Sequence, residues 1–259
     1  MESMMKRVIF CFMILVVLLG CASQFKEQRN LSRPLVALGM SKIQENDIQG
    51  AISELRKAKN ANPDDPEVYY GFAFAYWKSG KFDQAIENVD KAIELGDTLE
   101  LEHPGLKGEA YNLKGTIFSS QGKFDEAVAN YKKALKDELY QTPEYAQHNL
   151  ATLYLEKKNL QLAFETTQKT LDRNAHYAPA WHLLSKIYVA QGRPDEAIDA
   201  LKHATLEYPG YSEAHWDLAQ LYLQMGSIEK AKAELTRVVE IDPGGYYGIM
   251  AVDKLKDMK

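Results

Sequence analysis

The sequence predicts an all-α fold, a solenoid of six helix pairs with a C-terminal capping helix, and three observations carry the prediction. Alanine recurs at Ala51, Ala85, Ala127, Ala163, Ala197 and Ala231, at intervals of 34, 42, 36, 34 and 34 residues. Twelve residues before each stands another small side chain (Gly39, Ala73, Gly115, Ala151, Ser185, Ala219), and seven after each stands Ala58, Ala92, Ala134, Thr170, Ala204 or Val238. Larger residues keep fixed offsets beside them: Tyr76, Phe118, Tyr154, Tyr188 and Tyr222 on the first helix, and Leu55, Val89, Tyr131, Leu201 and Leu235 on the second. Two helices approach closely only where the facing side chains are small, and the larger ones fill the space alongside.

The turn before the alanine repeats as Gly80-Lys81-Phe82-Asp83-Gln84-Ala85, Gly122-Lys123-Phe124-Asp125-Glu126-Ala127 and Gly192-Arg193-Pro194-Asp195-Glu196-Ala197. It reads as a turn, an acid-capped helix start and a contact residue, while Pro63, Pro209 and Pro243 stop the second helix. A helix pair of about 34 residues with this pattern resembles the tetratricopeptide repeat. The resemblance covers 32–245 as six units (32–65, 66–99, 108–141, 144–177, 178–211 and 212–245). It implies a right-handed solenoid, because no single pair buries its apolar face alone, and the ends of such a stack need covers. Residues 246–259 supply one. Tyr246, Ile249, Val252, Leu255 and Met258 fall every third residue and are expected to pack on the sixth pair, with Asp253, Lys254, Lys256 and Asp257 in water. A membrane-surface helix is the other reading of this segment; its mixed rather than basic charge favours the cap.

Upstream, Lys6 and Arg7 precede an apolar run from Val8 to Leu19, which ends in Leu18-Leu19-Gly20-Cys21. The run is too short for a permanent membrane span, which takes about 20 residues, and suits the middle of an export signal. Leu-Leu-Gly-Cys resembles the lipobox of bacterial lipoproteins. The resemblance implies that residues 1–20 are a signal peptide cut before Cys21, that the Cys21 thiol receives a diacylglycerol, and that the new amino terminus is acylated with a chain such as palmitate. With Ala22 rather than aspartate next, it also implies sorting to the outer membrane, facing the periplasm. An ordinary secretory signal and an uncleaved anchor are the alternatives. Cys11 would leave with the signal and Cys21 would carry lipid, so no disulfide is expected. Residues 21–31 read as a polar lipidated tether, reaching at most about 35 Å.

A net charge of −5 argues against a nucleic-acid partner. Gly80-Lys81 and Gly122-Lys123 lack the serine or threonine of a phosphate loop, and neither HExxH nor a nucleophile elbow occurs. No enzyme, cofactor or small-molecule substrate is expected. His148 and His182 hold equivalent places in the fourth and fifth units and are expected to face one groove, yet no third ligand accompanies them, so no metal is predicted. A protein-binding surface remains. In the repeat family the first helices line the concave face, which implies Met40, Tyr70, Phe74, Trp77, Asn112, Thr116, Tyr145, His148, Thr152, Lys186, Trp216 and Gln220 there. Partner binding is expected at the first eight of these. Tyr70, Phe74 and Trp77 share a stripe although Tyr69, Phe72, Ala73 and Tyr76 already serve packing. That extra aromatic area either forms a partner site or packs against the first pair or the tether. The family's carboxylate-clamp positions read Val36, Tyr70, Asn112, His148, His182 and Trp216. Only Asn112 fits a clamp, which argues against a chaperone-tail receptor.

Two intervals exceed 34. Residues 100–107, with the turn Pro104-Gly105, are an insertion expected to lengthen a helix and its loop at the rim, either as a partner-contacting loop or as a plain insertion. Leu139–Glu144 adds two residues before the fourth pair opens at Tyr145. The passage Ala134–Tyr154, with Leu-Tyr-Gln-Thr-Pro-Glu followed by Asn149-Leu150-Ala151, resembles the same junction in type IV pilus biogenesis lipoproteins, the pilotins of the PilF, PilW and Tgl kind. So does the plan of a lipobox and six repeats. The resemblance implies a lipid-anchored scaffold that helps a secretin subunit reach or assemble in the outer membrane. The other reading is a periplasmic adaptor for different envelope machinery, such as peptidoglycan enzymes or outer-membrane protein assembly.

Overall fold

The computed structural model describes residues 27–99 and 102–258, and among them every regular element is a helix. The export signal, the lipobox and Cys21 lie outside the described residues. The helices are α1 (27–44), α2 (Ile48–Ala61), α3 (Pro66–Lys78), α4 (Phe82–Thr98), α5 (Leu106–Ser120), α6 (Phe124–Ala134), α7 (Pro143–Glu156), α8 (Leu160–Arg173), α9 (Ala178–Ala190), α10 (Pro194–Glu207), α11 (Ser212–Gln224), α12 (Ile228–Ile241) and α13 (Tyr246–Asp257). None of them is long and apolar enough to cross a membrane. They fall into two bodies, unit 1 ending at Gln141 and unit 2 beginning at Thr142. In unit 1, α3 packs on α4, α4 on α5 and α5 on α6, and α3 also touches α5. In unit 2 the chain packs consecutively from α7 to α13, with further contacts of α7 with α9 and α11 with α13. First helices thus touch first helices, as the tetratricopeptide arrangement requires.

Small residues set the contacts as the periodicity demands. All six ruler alanines are fully buried, and so are the six residues seven positions later, from Ala58 to Val238. Where glycine replaces alanine, the facing side chain is large. A Cβ on Gly39 would stand 2.9 Å from Leu55 Cγ, and one on Gly115 would stand 2.6 Å from the Tyr131 ring. Leu55, Leu201 and Leu235 fill the gaps beside these contacts and are themselves buried.

Each pair turns on one device. The backbone N–H of Lys81 donates to the Tyr76 carbonyl at 2.9 Å, and the same five-residue closure joins Lys123 to Phe118, Asn159 to Tyr154, Arg193 to Tyr188 and Ser227 to Tyr222. This is the helix-ending bond of a Schellman motif, which needs a left-handed residue just before the donor. Gly80, Gly122, Gly192 and Gly226 supply it with φ between 70° and 73°, while Asn46 and Lys158 do so at 63° and 58°. The acids of the repeated turn are not caps. The residue before the second helix is Lys81 or Lys123, which makes no side-chain capping bond, and Asp83 and Asp125 lie inside the first turn. There they meet the positive end of the helix dipole.

Other boundaries shift for local reasons. Pro63, Pro209 and Pro243 follow Asn62, Tyr208 and Asp242, whose φ values of −143°, −134° and −136° suit a residue before proline. Asn174 takes φ −141° with Ala175 next, so the fold makes this stop and proline reinforces it. Residues 27–31, read as tether, already belong to α1, and Arg29 is held there by a 2.8 Å bond to the Glu102 carbonyl. The fourth pair opens at Pro143, not Tyr145, because proline suits the first helical position. In α13 only part of the three-residue stripe packs: Leu255 and Met258 do, while Tyr246 and Ile249 are 70% and 55% exposed. Residues three apart drift by about 60° around a helix, so the stripe spirals off the contact. The face that packs is Tyr247, Gly248, Ala251, Leu255 and Met258.

Candidate functional site

In unit 1 the expected binding residues cluster on α3. Phe74 and Trp77 meet at a tilt of 53°, ring centroids 5.4 Å apart, with Lys78 Nζ 5.9 and 5.1 Å from their rings. Trp77 Nε1 donates to Ser120 Oγ of α5 at 3.0 Å, and Phe74 packs against two apolar clusters of the unit. Two of the three stripe aromatics are therefore tied between helix pairs: Phe74 reaches the first pair, as one expectation had it, whereas Trp77 is tied to α5, which neither expectation named. Thr116 is also committed: its hydroxyl donates to the Asn112 carbonyl at 3.1 Å and accepts from Tyr131 at 3.3 Å. Tyr70 and Met40 are placed differently, on a cleft of about 350 Å³ that Arg33, Val36, Glu67, Glu109 and the turn 102–106 complete.

The insertion builds one side of that cleft. α4 before it runs to 17 residues against 14 in α2, and residues 102–107 pack against unit 1 instead of projecting. His103 is buried, and its Nδ1 lies 2.9 Å from Glu67 Oε1. That bond holds the Glu67 carboxyl below the usual glutamate range. Below it, Ser32 donates to the buried Asp65 at 2.7 Å, and Asp65 caps α3 through the Glu67 N–H at 3.0 Å. Glu109 moves the other way: burial, and then the charge of Glu67, raise its pKa. Tyr70 is so enclosed that desolvation, aided by Glu109, lifts its phenol above the usual tyrosine range.

The wall of unit 2 is polar and interlocked. His148 and His182 do line one cleft, of about 370 Å³, with Thr152, Lys186, Tyr211 and Glu213. Each histidine meets a tyrosine edge-on, His148 with Tyr177 at 5.6 Å and His182 with Tyr211 at 5.0 Å. His182 is fixed from both ends, by the Tyr211 hydroxyl at 2.9 Å and by Asp217 at 2.8 Å. Lys186 pairs with Glu213 at 2.9 Å. His148 is different. Its Nδ1 is buried without a partner among the described residues, and burial, followed by the charges of His182 and Lys186, pushes its pKa down to about 4. Tyr145 stays 46% exposed beside Tyr177, with rings 5.6 Å apart. Trp216 leans toward Tyr247 at 6.3 Å, and Gln220 lines a smaller cleft with a buried, unpaired Nε2.

Two carboxylate–imidazole groups bring three ligand atoms each within 4.8 Å, namely Asp65, Glu67 and His103, and His182, Glu213 and Asp217. His182 thus has acidic neighbours that sequence spacing did not reveal, and His148 is not among them. In both groups the atoms already bond to one another or to nearby side chains. The sequence reading missed Glu67, His103, Glu109, Tyr177, Tyr211, Glu213 and Asp217. A signal existed for the two tyrosines, which stand 34 residues apart as His148 and His182 do. None existed for His103, because the insertion breaks the register.

Family models of the tetratricopeptide repeat match residues 39–80, 64–136, 112–179, 154–210 and 188–251. Among curated proteins, the BBSome complex member BBS4 of Bos taurus is 32% identical over 108 residues, 42% of this chain and 21% of that protein. The chain spans less than half the length of the curated relatives it matches. Among solved structures, Pseudomonas aeruginosa PilF superposes with a TM-score of 0.68 at 16% identity, over 90% of this chain and 99% of that one. PilW, described as a widely conserved type IV pilus biogenesis factor, gives 0.68 at 17% identity, over 85% and 98%. At such identities the likeness speaks for the fold.

Proposed function

Because the chain belongs to the tetratricopeptide repeat family, we propose that it is a lipid-anchored scaffold of the outer membrane that holds a secretin subunit during type IV pilus biogenesis. The observation that carries this reading is the length of the match: PilF is covered over 99% of its chain, with the whole series of helix pairs in common and not a shared repeat or two. The lipobox-like Leu18-Leu19-Gly20-Cys21 and the Leu139–Glu144 junction support it from the sequence. Inner walls with half-buried aromatic and unpaired polar groups suit a protein segment better than a small molecule, since such groups gain most when a partner excludes water. The lipid on Cys21 directs the pair to its membrane, and the helices grip without chemistry.

Deleting the gene and separating outer membranes on a denaturing gel tests the role. Heat-resistant secretin multimers disappear or fall sharply; multimers at normal abundance reject the reading. Cys21→Ser tests the anchor separately. The protein moves to the soluble fraction, and retention in the outer membrane would show that lipid on this thiol is not what holds it.

A further inference from the structure

Charges around the unit 1 cleft pair off unevenly. His103 takes up Glu67 at 2.9 Å, and Arg29 stands 3.8 Å from Glu102. Arg33, on the cleft lining, acts on Glu67. Glu109 is left over. Among the described residues its carboxylate makes no hydrogen bond and no ion pair, and the charge that bears on it is a like one, Glu67. A half-buried carboxylate facing another carboxylate destabilises the fold until a cation covers it. The lining beside it suits an alkyl stem, with Val36, Met40 and Leu106 apolar. Tyr70 also lines the cleft, and its hydroxyl, which bonds to none of the described residues, is attractive to a cation.

We propose that this cleft receives one lysine or arginine side chain from the segment of the partner held on unit 1, with Glu109 binding the cationic head and Tyr70, Met40 and Val36 enclosing the stem. The inference rests on the reading of the protein as a scaffold for another protein, and specifies what that partner must present. A metal ion is the poorer occupant, because Asp65, Glu67 and His103 already use their ligand atoms on Ser32 and on each other.

The test titrates three small amides into the full-length protein in detergent: Nα-acetyl-lysine methylamide, Nα-acetyl-arginine methylamide and the uncharged Nα-acetyl-norleucine methylamide. Binding is read from the Met40 methyl resonance. Both cationic amides are expected to bind about tenfold more tightly than norleucine amide, the scale of one charge-assisted hydrogen bond, and to weaken as salt is raised to about 0.5 M. Glu109→Gln removes the advantage with helicity unchanged, and Tyr70→Leu reduces it. Equal affinity for the charged and uncharged amides, or an advantage that survives Glu109→Gln, overturns the proposal. Paired with the gene deletion, the result separates the two readings. Cationic selectivity with normal secretin multimers keeps the cleft and rejects the pilus role, whereas lost multimers without selectivity keep the role and reject the cleft.

Discussion

Unit 1 and unit 2 use one spacing of small residues and differ in what they add to it. In unit 1 the turn 102–106 buries His103 against Glu67 and lines a cleft where the Glu109 carboxylate pairs with none of the described residues. In unit 2 the register runs unbroken, so His148 and His182 repeat with Tyr177 and Tyr211; His182 is held by Asp217, while His148 Nδ1 and Gln220 Nε2 stay buried without partners among the described residues. Positions on the ruler are constrained by helix approach and come out the same in both bodies. Positions off it are free, and chemistry collects there.

The largest effects fall on the shared frame. Leu55→Ala in unit 1 and Leu235→Ala in unit 2 each lose about 3 kcal/mol in urea unfolding, since both side chains are fully buried. Hydrogen exchange is expected to quicken in the mutated unit first. Equal quickening in both would show a single cooperative body and erase the distinction.

Next comes a pH effect peculiar to unit 2. The unfolded chain protonates His148 near 6.5, while the folded chain resists protonation until about 4. Below pH 6.5 the unfolded state binds the extra proton, so this group costs stability progressively between about 6.5 and 4, up to about 3 kcal/mol. His148→Gln flattens that slope, and urea melts at pH 7, 5.5 and 4.5 measure it; parallel slopes for the two proteins would show that the imidazole is not buried neutral.

Unit 1 holds the opposite sign in Glu109. Its raised pKa means that the folded state keeps a proton more readily than the unfolded one, so its contribution is present at low pH and lost as pH rises through the folded value. Glu109→Gln is expected to stabilise by about 1 kcal/mol at pH 7, with the gain vanishing toward pH 4. A destabilised variant at pH 7 would mean that the carboxylate has a partner after all. The smallest contrast lies in the turns, where among the described residues each unit has one left-handed residue other than glycine. Lys158→Gly in unit 2 gains about 1 kcal/mol, whereas Asn46→Gly in unit 1 changes little, because asparagine tolerates this backbone. Equal thermal shifts would remove the turn from the comparison.

Much of the frame was legible before any coordinates, since alanine at fixed intervals means one thing for helix packing. Gly39 and Gly115 could be placed against large residues from their offsets alone. The walls were harder to read. Phe74 and Trp77 look free by helical counting, yet Trp77 bonds to Ser120, 43 residues on, and no local pattern announces that partner. Counting in threes caught Leu255 and Met258 of the α13 face but missed Tyr247 and Ala251, because the helix turns in 3.6. His103 sits in a stretch with no register, so its meeting with Glu67 was invisible.

Periodicity alone settled the helix pairs, their turns and their close contacts, because those depend on side-chain size at regular spacing and on backbone that glycine or proline permits. Folding in three dimensions chose which leftover polar groups are satisfied and which are stranded. Whether Glu109 is neutralised or His148 kept neutral depends on residues tens of positions away, and electrostatics in a half-buried cleft follows distance in space and not along the chain.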